Sequence, residues 1–322
     1  MNFLEGAQIA IDSLMLLKRE VKITAYDTPP DSIGVVRMLT NPEFKEANMV
    51  IGTFPNSLVN AAVGAAKMAN VNLLLTQAGT TSVLDNYANT ALAFASTITQ
   101  CRGMVSFMMA QYPDSKVILV YRTTKREEEL AAIYKDEILK DKQSHEFVEH
   151  KSIEKGDKEI AALLSKTKRN VIFLISSDEA FISPVLSLFE EQNIFGVMVA
   201  GLPTWQNFES IDFMSMKNVQ VMLFDNNFIS YDAPERSVFR KAFISKYQND
   251  PLNAAYNGFD IVFKMGIGFE NREQKFQNWI RKSFPESTSD FNFIGDGFGG
   301  MENKFISVLK FNDYNLERIN LK

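Results

Sequence analysis

A single cysteine, Cys101, and two histidines, His145 and His150, are all the thiol and imidazole chemistry that 322 residues offer. One cysteine cannot close an intramolecular disulfide, and no Cys or His cluster has the spacing of a zinc site. Both histidines lie in the charged stretch 140–151, where a solvated surface position is the plain reading. No Ser/His/Asp or Cys/His nucleophile arrangement can be assembled, so no catalytic residue, metal or cofactor is nominated and the chain reads as a non-enzyme. A basic surplus is missing too. There are 34 Lys and Arg against 39 Asp and Glu, a net charge of -5, which recommends neither nucleic acid nor anionic lipid as a partner. Apolar runs such as 171–175 fall far short of the ~20 residues that cross a bilayer. Residues 1–17 carry Glu5 and Asp12 where a secretory signal is apolar, so any targeting segment is expected upstream of Met1.

What is present is 46% hydrophobic residues, 26 of them Phe, with 23% charged residues: a globular composition with room for two domains. Strand-length apolar runs alternate with amphipathic segments. Phe3, Ala7, Ala10, Leu14 and Leu17 fall at helical spacing, and 21–26 reads as a strand ended by Asp27-Thr28-Pro29-Pro30. Asp31 or Ser32 caps a helix to about Leu39, which Asn41-Pro42 breaks. Strand 49–51, helix 58–69, strand 72–75 and a helix over about 101–110 follow. After Tyr112-Pro113-Asp114 a second series begins, with strands 117–121, 146–150, 171–175 and 196–200 alternating with helices 127–139, 158–165 and 181–192. Such alternation predicts an α/β chain with two Rossmann-like lobes and mainly parallel sheets. The tail is helical at 239–246, 254–268 and 274–283, then gives strands 305–311 and 316–319.

Ligands of open parallel sheets bind beyond the carboxyl ends of the strands. Five loops at such ends, 52–57, 76–81, 122–124, 176–179 and 201–205, are rich in small or polar residues. They supply the candidate ligand contacts Asn56, Ser57, Ala78, Thr80, Thr81, Thr123, Asp178, Glu179 and Trp205. Ser57 and Thr80 precede or open helices, where hydroxyls and free N–H groups could hold a carboxylate. For any one of Ser57, Thr80 and Thr81 an ordinary helix cap is the plainer reading, and the convergence of several loops is what favours the functional one. Gly295-Asp296-Gly297-Phe298-Gly299-Gly300 lacks the lysine and the strand-before, helix-after setting of a phosphate loop, and reads as a turn. The acidic runs Glu127-Glu128-Glu129 and Glu190-Glu191 read as helical surface charge.

Glu5-Gly6-Ala7 with Ala10, then Ile23-Thr24-Ala25-Tyr26-Asp27, resembles the opening of type 1 periplasmic binding proteins of the branched-chain amino-acid-binding group. Val50-Ile51-Gly52 with Asn56-Ser57, residues 75–81, and 239–247 with Ala255-Tyr256-Asn257-Gly258-Phe259-Asp260 are similar to later segments of that family. Gly299-Gly300-Met301-Glu302-Asn303-Lys304 resembles its receptor-like branch that accompanies lysin-motif peptidoglycan-binding domains. The resemblance implies one lobe from 1–112 plus 226–281 and another from 113–225 plus 282–322. It implies a small polar ligand, an amino acid or similar, in the cleft between lobes, with Ser57, Ala78 and Thr80 on the carboxylate positions. It also implies a transport or sensing role in the periplasm or cell envelope, beside a transporter or a lysin-motif domain. The alternative is a peptidoglycan-associated interaction module with an empty cleft, and a nucleotide-dependent enzyme stands third. Two departures bear on the ligand. Arg126-Glu127-Glu128 stands where the family places a tyrosine, and Leu202-Pro203-Thr204-Trp205 where it places the acid that meets an ammonium group; Asp178 or Glu179 would have to substitute. The family's first strand, before the first helix, has no counterpart. That absence leaves 21–26 and 49–51 short of a partner, which direct pairing of the two, a segment from elsewhere or another molecule, or an upstream extension would relieve; upstream extension is the expectation for the natural protein, and in this chain the first lobe is expected to be the weaker one.

Overall fold

The computed structural model describes residues 2–77, 79–85, 87–140, 145–153, 158–191, 196–211, 213–231, 233–285, 290–295, 299–312 and 315–319. Along the chain run α1 (Asn2–Leu16), α2 (Ser32–Leu39), α3 (Pro42–Glu46), β1 (Val50–Gly52), α4 (Asn56–Ala69), β2 (Leu73–Leu75) and β3 (Thr90–Leu92). Then come α5 (Thr97–Gln111), β4 (Lys116–Arg122), α6 (Lys125–Lys140), β5 (Glu146–Ser152), α7 (Glu159–Ala162), β6 (Asn170–Ile175), α8 (Glu179–Glu191), β7 (Val197–Ala200), α9 (Phe213–Asn218) and β8 (Val221–Asp225). The last part holds α10 (Pro234–Tyr247), α11 (Asn253–Gly268), α12 (Phe276–Ser283), β9 (Phe293–Ile294), β10 (Met301–Asn303), β11 (Ser307–Asn312) and β12 (Asn315–Arg318). Contacts divide the chain into two units, Met1–Thr97 with Asn227–Phe305 and Ile98–Asn226 with Ile306–Leu321. The chain therefore changes unit at 97/98, 226/227 and 305/306, against the expected 112/113, 225/226 and 281/282. Helix α5 stands with the second unit, and β9 and β10 complete the first unit's sheet.

In the first unit, sheet order is β1-β2-β3-β10-β9, parallel except for β9 against β10. The period of two sorts three adjacent leucines onto two faces. Leu73 and Leu75 pack with Val35, Leu39, Leu58 and Ala62 from α2 and α4, while Leu74 packs with Ile261, Met265 and Ile280 from α11 and α12. Small residues then bring α1 down onto α11. A Cβ on Gly6 would lie 1.8 Å from the Ala255 carbonyl oxygen, and one on Gly258 would lie 2.0 Å from that of Phe3. Only glycine permits backbones this close. Asp31 accepts the Gly34 N–H and caps α2, as its sequence position suggests, and Asn41, expected only to break the helix before it, accepts the Glu43 N–H and caps α3.

Residues 21–26, expected as a strand, are not one. Val21 and Ile23 are half-buried beside Ile51 against Ala7, Ala10 and Val262, as strand residues would be. Among the described residues, however, no backbone hydrogen bond joins 20–30 to any strand. Strand identity requires a ladder partner about 4.8 Å away. β1 pairs only with β2 and forms the sheet's edge, and Asn2–Leu16 is already helix.

In the second unit the order is β12-β11-β8-β7-β6-β4-β5. β5, β4, β6, β7 and β8 are parallel, and the β11–β12 hairpin adds antiparallel to β8. β6 is buried along its whole length, which is why it reads as an uninterrupted apolar run rather than an alternating one.

Candidate functional site

In the first unit, β1 and β2 end side by side, with Gly52 level with Leu75. Their outgoing loops are stitched together. The Thr53 and Thr76 hydroxyls lie 2.6 Å apart, and the Gln77 amide donates to the Phe54 carbonyl at 2.9 Å while accepting the Phe54 N–H at 3.4 Å. Gly52 leaves room for the Phe54 ring, which would sit 2.7 Å from a Cβ there. Pro55 is the N-cap of α4 and offers no capping side chain. Among the described residues, no protein acceptor meets the N–H groups of Asn56 and Ser57. Both residues are exposed at the positive end of a 14-residue helix. Thr80 is exposed at the start of the short 3-10 turn Thr81–Leu84, its hydroxyl 3.3 Å from that of Ser82. Thr81 is half-buried beside it. Ala78 lies outside the described residues.

The second unit's strand ends are wired differently. Asp178 is ion-paired with Arg122, whose guanidinium stands 5.5 Å over the Phe181 ring, and it also accepts the Ala180 N–H at 3.0 Å as a cap for α8. Glu179 accepts both the N–H and the hydroxyl of Ser210, at 2.5 and 2.7 Å, and these bonds hold its carboxyl below the ordinary value. Trp205 is 1% exposed and gives its indole N–H to the Ser176 carbonyl at 2.7 Å, so it braces the rim from within instead of facing solvent. Thr123 is exposed.

Sequence reasoning passed over the residue that organises this rim. Glu127 was expected on the surface and is instead 7% exposed. It accepts the Arg122 N–H at 3.0 Å and the Ser176 hydroxyl at 2.7 Å, tying β4 to β6. A signal existed in Thr124-Lys125-Arg126-Glu127, a capping-box spacing in which Glu127 takes the third helical position. The Cys101 thiol is buried, and burial raises its pKa to about 11, far from a reactive thiolate. Among the described residues no cluster of His, Cys, Asp and Glu could hold a metal, and no helix is long and apolar enough to cross a membrane.

No protein-family model matches the sequence, and no curated protein does. Solved structures do. A Rhodospirillum rubrum protein assigned as a branched-chain amino acid ABC transporter aligns at 14% identity over 99% of this chain and 94% of its own, with a TM-score of 0.72. An ABC transporter substrate-binding protein from Desulfitobacterium hafniense aligns at 14% identity over 98% and 95%, with a TM-score of 0.66. A Desulfitobacterium hafniense substrate-binding protein in complex with Leu gives 14%, 98%, 95% and 0.61. The chain thus has the two-unit α/β fold of type 1 periplasmic binding proteins.

Proposed function

We propose that this chain is a non-catalytic binding protein for a small carboxylate-bearing molecule, an amino acid or a relative of one, serving transport or sensing in the cell envelope. The observation that carries the reading is the first turn of α4, where unclaimed N–H groups of Asn56 and Ser57 stand with the Ser57 and Thr80 hydroxyls at one sheet rim. A carboxylate there gains charge-assisted hydrogen bonds and the favourable end of the helix dipole. The Desulfitobacterium hafniense neighbour in complex with Leu supports this ligand class. A thermal-shift screen over amino acids, monocarboxylates, short peptides, sugars and peptidoglycan fragments tests it. At a hundred dissociation constants of ligand, the native state gains about 2.7 kcal/mol. No upward shift from any carboxylate would overturn the reading.

A second reading has its own support. In the second unit Asp178, Glu179, Ser176 and Trp205 are already satisfied by protein groups, as in a module that binds no small molecule there. A flat screen combined with retention of the protein on insoluble peptidoglycan would favour that structural role.

A further inference from the structure

After β7 the chain makes the 3-10 turn Pro203–Asn207 and then α9, which packs on β8 and β11. Between these segments and the β11–β12 hairpin lies a crevice of about 210 Å³, wholly within the second unit. Its floor is Trp205, stacked on Phe208 with ring centroids 5.9 Å apart, and its walls are Ile211, Met216, Phe311 and Leu316. The floor is set before any guest arrives. A Cβ on Gly201 would lie 2.5 Å from the Trp205 ring, and the Ser176 carbonyl holds the indole N–H, so the ring is clamped from two sides. Two exposed side-chain amides, Gln206 and Asn315, complete the lining and supply both donors and acceptors. Among the described residues, none in this lining ionises.

Size, ring walls and neutrality together name a guest. An apolar cavity of about 150 Å³ admits benzene, whereas sites for drug-sized molecules begin at roughly 300 Å³, so this crevice suits one ring with a small substituent. Aromatic walls favour a planar ring through stacked or edge contacts. An ion would lose its hydration here without meeting a counter-charge, whereas a hydroxyl or carboxamide finds the two amides. We propose that the crevice is a binding site for a small neutral aromatic molecule carrying one hydrogen-bonding group. Its residues all belong to the second unit, so it is separate from the carboxylate reading of the first unit's rim.

Met216 in the wall gives a local probe, so methyl NMR of the methionine-labelled full chain tests the proposal, with the Met216 signal assigned through Met216→Leu. Phenol and benzamide should shift that signal saturably by ring current. Benzoate and benzylammonium should bind there about tenfold more weakly or worse, because each would bury an unpaired charge. Leu316→Trp, at a half-buried position of β12, fills the crevice and should abolish the shift. Gln206→Ala with Asn315→Ala, both at exposed positions, should weaken benzamide about tenfold and leave toluene unchanged, with thermal melts showing the protein folded. A Met216 signal that neither phenol nor benzamide moves would overturn the proposal. So would charged probes that bind as tightly as neutral ones, or amide variants that hold benzamide as the parent does. A signal that moves with protein concentration alone would give the crevice to a second copy of the chain and overturn it too.

Discussion

A carboxylate as enclosed as Glu127 is tolerated only because donors meet it from two directions. Glu127→Ala removes the acceptor for the Arg122 N–H and the Ser176 hydroxyl together. It is expected to cost roughly 1–3 kcal/mol, read as a lowered melting temperature; Glu127→Gln keeps an acceptor oxygen and should cost less. The triplet in which Glu127 sits looks like surface charge because its burial depends on Ser176, 49 positions later in the chain. Asp260 is a partly buried acid, 2.8 Å from Arg236. Burial outweighs the Arg236 guanidinium and raises the Asp260 carboxyl above its ordinary value of 3.8. The native chain then holds this proton more tightly than the unfolded chain. The stability so gained is complete in acid, below 3.8, and is lost as pH rises through the raised value. Melting curves of an Asp260→Asn variant should lack that slope just above 3.8, which difference titration of the two proteins checks. On the proposed function Ser57 would serve the ligand: Ser57→Ala should weaken carboxylate binding by roughly 1–3 kcal/mol in a calorimetric titration, with stability unchanged.

The α1–α11 pair sets two helix rules against each other. Gly→Ala inside a helix ordinarily stabilises by about 1 kcal/mol. At Gly6 the added methyl would fall 1.8 Å from a backbone oxygen, a collision that no rotamer relieves. Gly6→Ala should therefore destabilise the first unit by roughly 1–3 kcal/mol in thermal melts, and a neutral result would mean that α1 can lift from α11. The long elements were legible in the sequence because periodicity accumulates over their length: α1, α6, α8, α11, β4 and β6 lie close to where the residue pattern puts them. β3, β9 and β10 were not, since two or three residues such as Thr90–Leu92 cannot display a period. β8 was missed although Val221–Asp225 is a plain apolar run. Residues 21–26 failed in the opposite way, with a strand's pattern but, among the described residues, no backbone hydrogen bond to a neighbouring strand. Of the site, the first unit's loops could be read because helix starts announce themselves. The second unit's internal bonding could not, because it joins residues from separate strands.

The two sheets differ in size. Strands of two or three residues make up the first unit's five-stranded sheet, whereas the second unit's seven strands run to seven residues. The first unit, with an open edge as well, should unfold at the lower temperature in differential scanning calorimetry with peptide-resolved hydrogen exchange; a single transition with uniform protection would refute this. The threefold change of unit along the chain also has a consequence for synthesis. Residues 98–226 emerge from the ribosome as one block and contain the five parallel strands of their unit. Helix α1, made before that block, packs on α11, whose residues follow some 250 positions later. For most of translation its Gly6, Ala7 and Ala10 face has no partner, and the first unit cannot close until residues 227–305 have followed the other unit's five parallel strands. Nascent chains arrested once residue 226 has cleared the ribosome should already protect 170–175 from protease while 2–16 remains cleavable. Helix α1 thus precedes the block 98–226 in synthesis and meets its partner helix only after that block is complete.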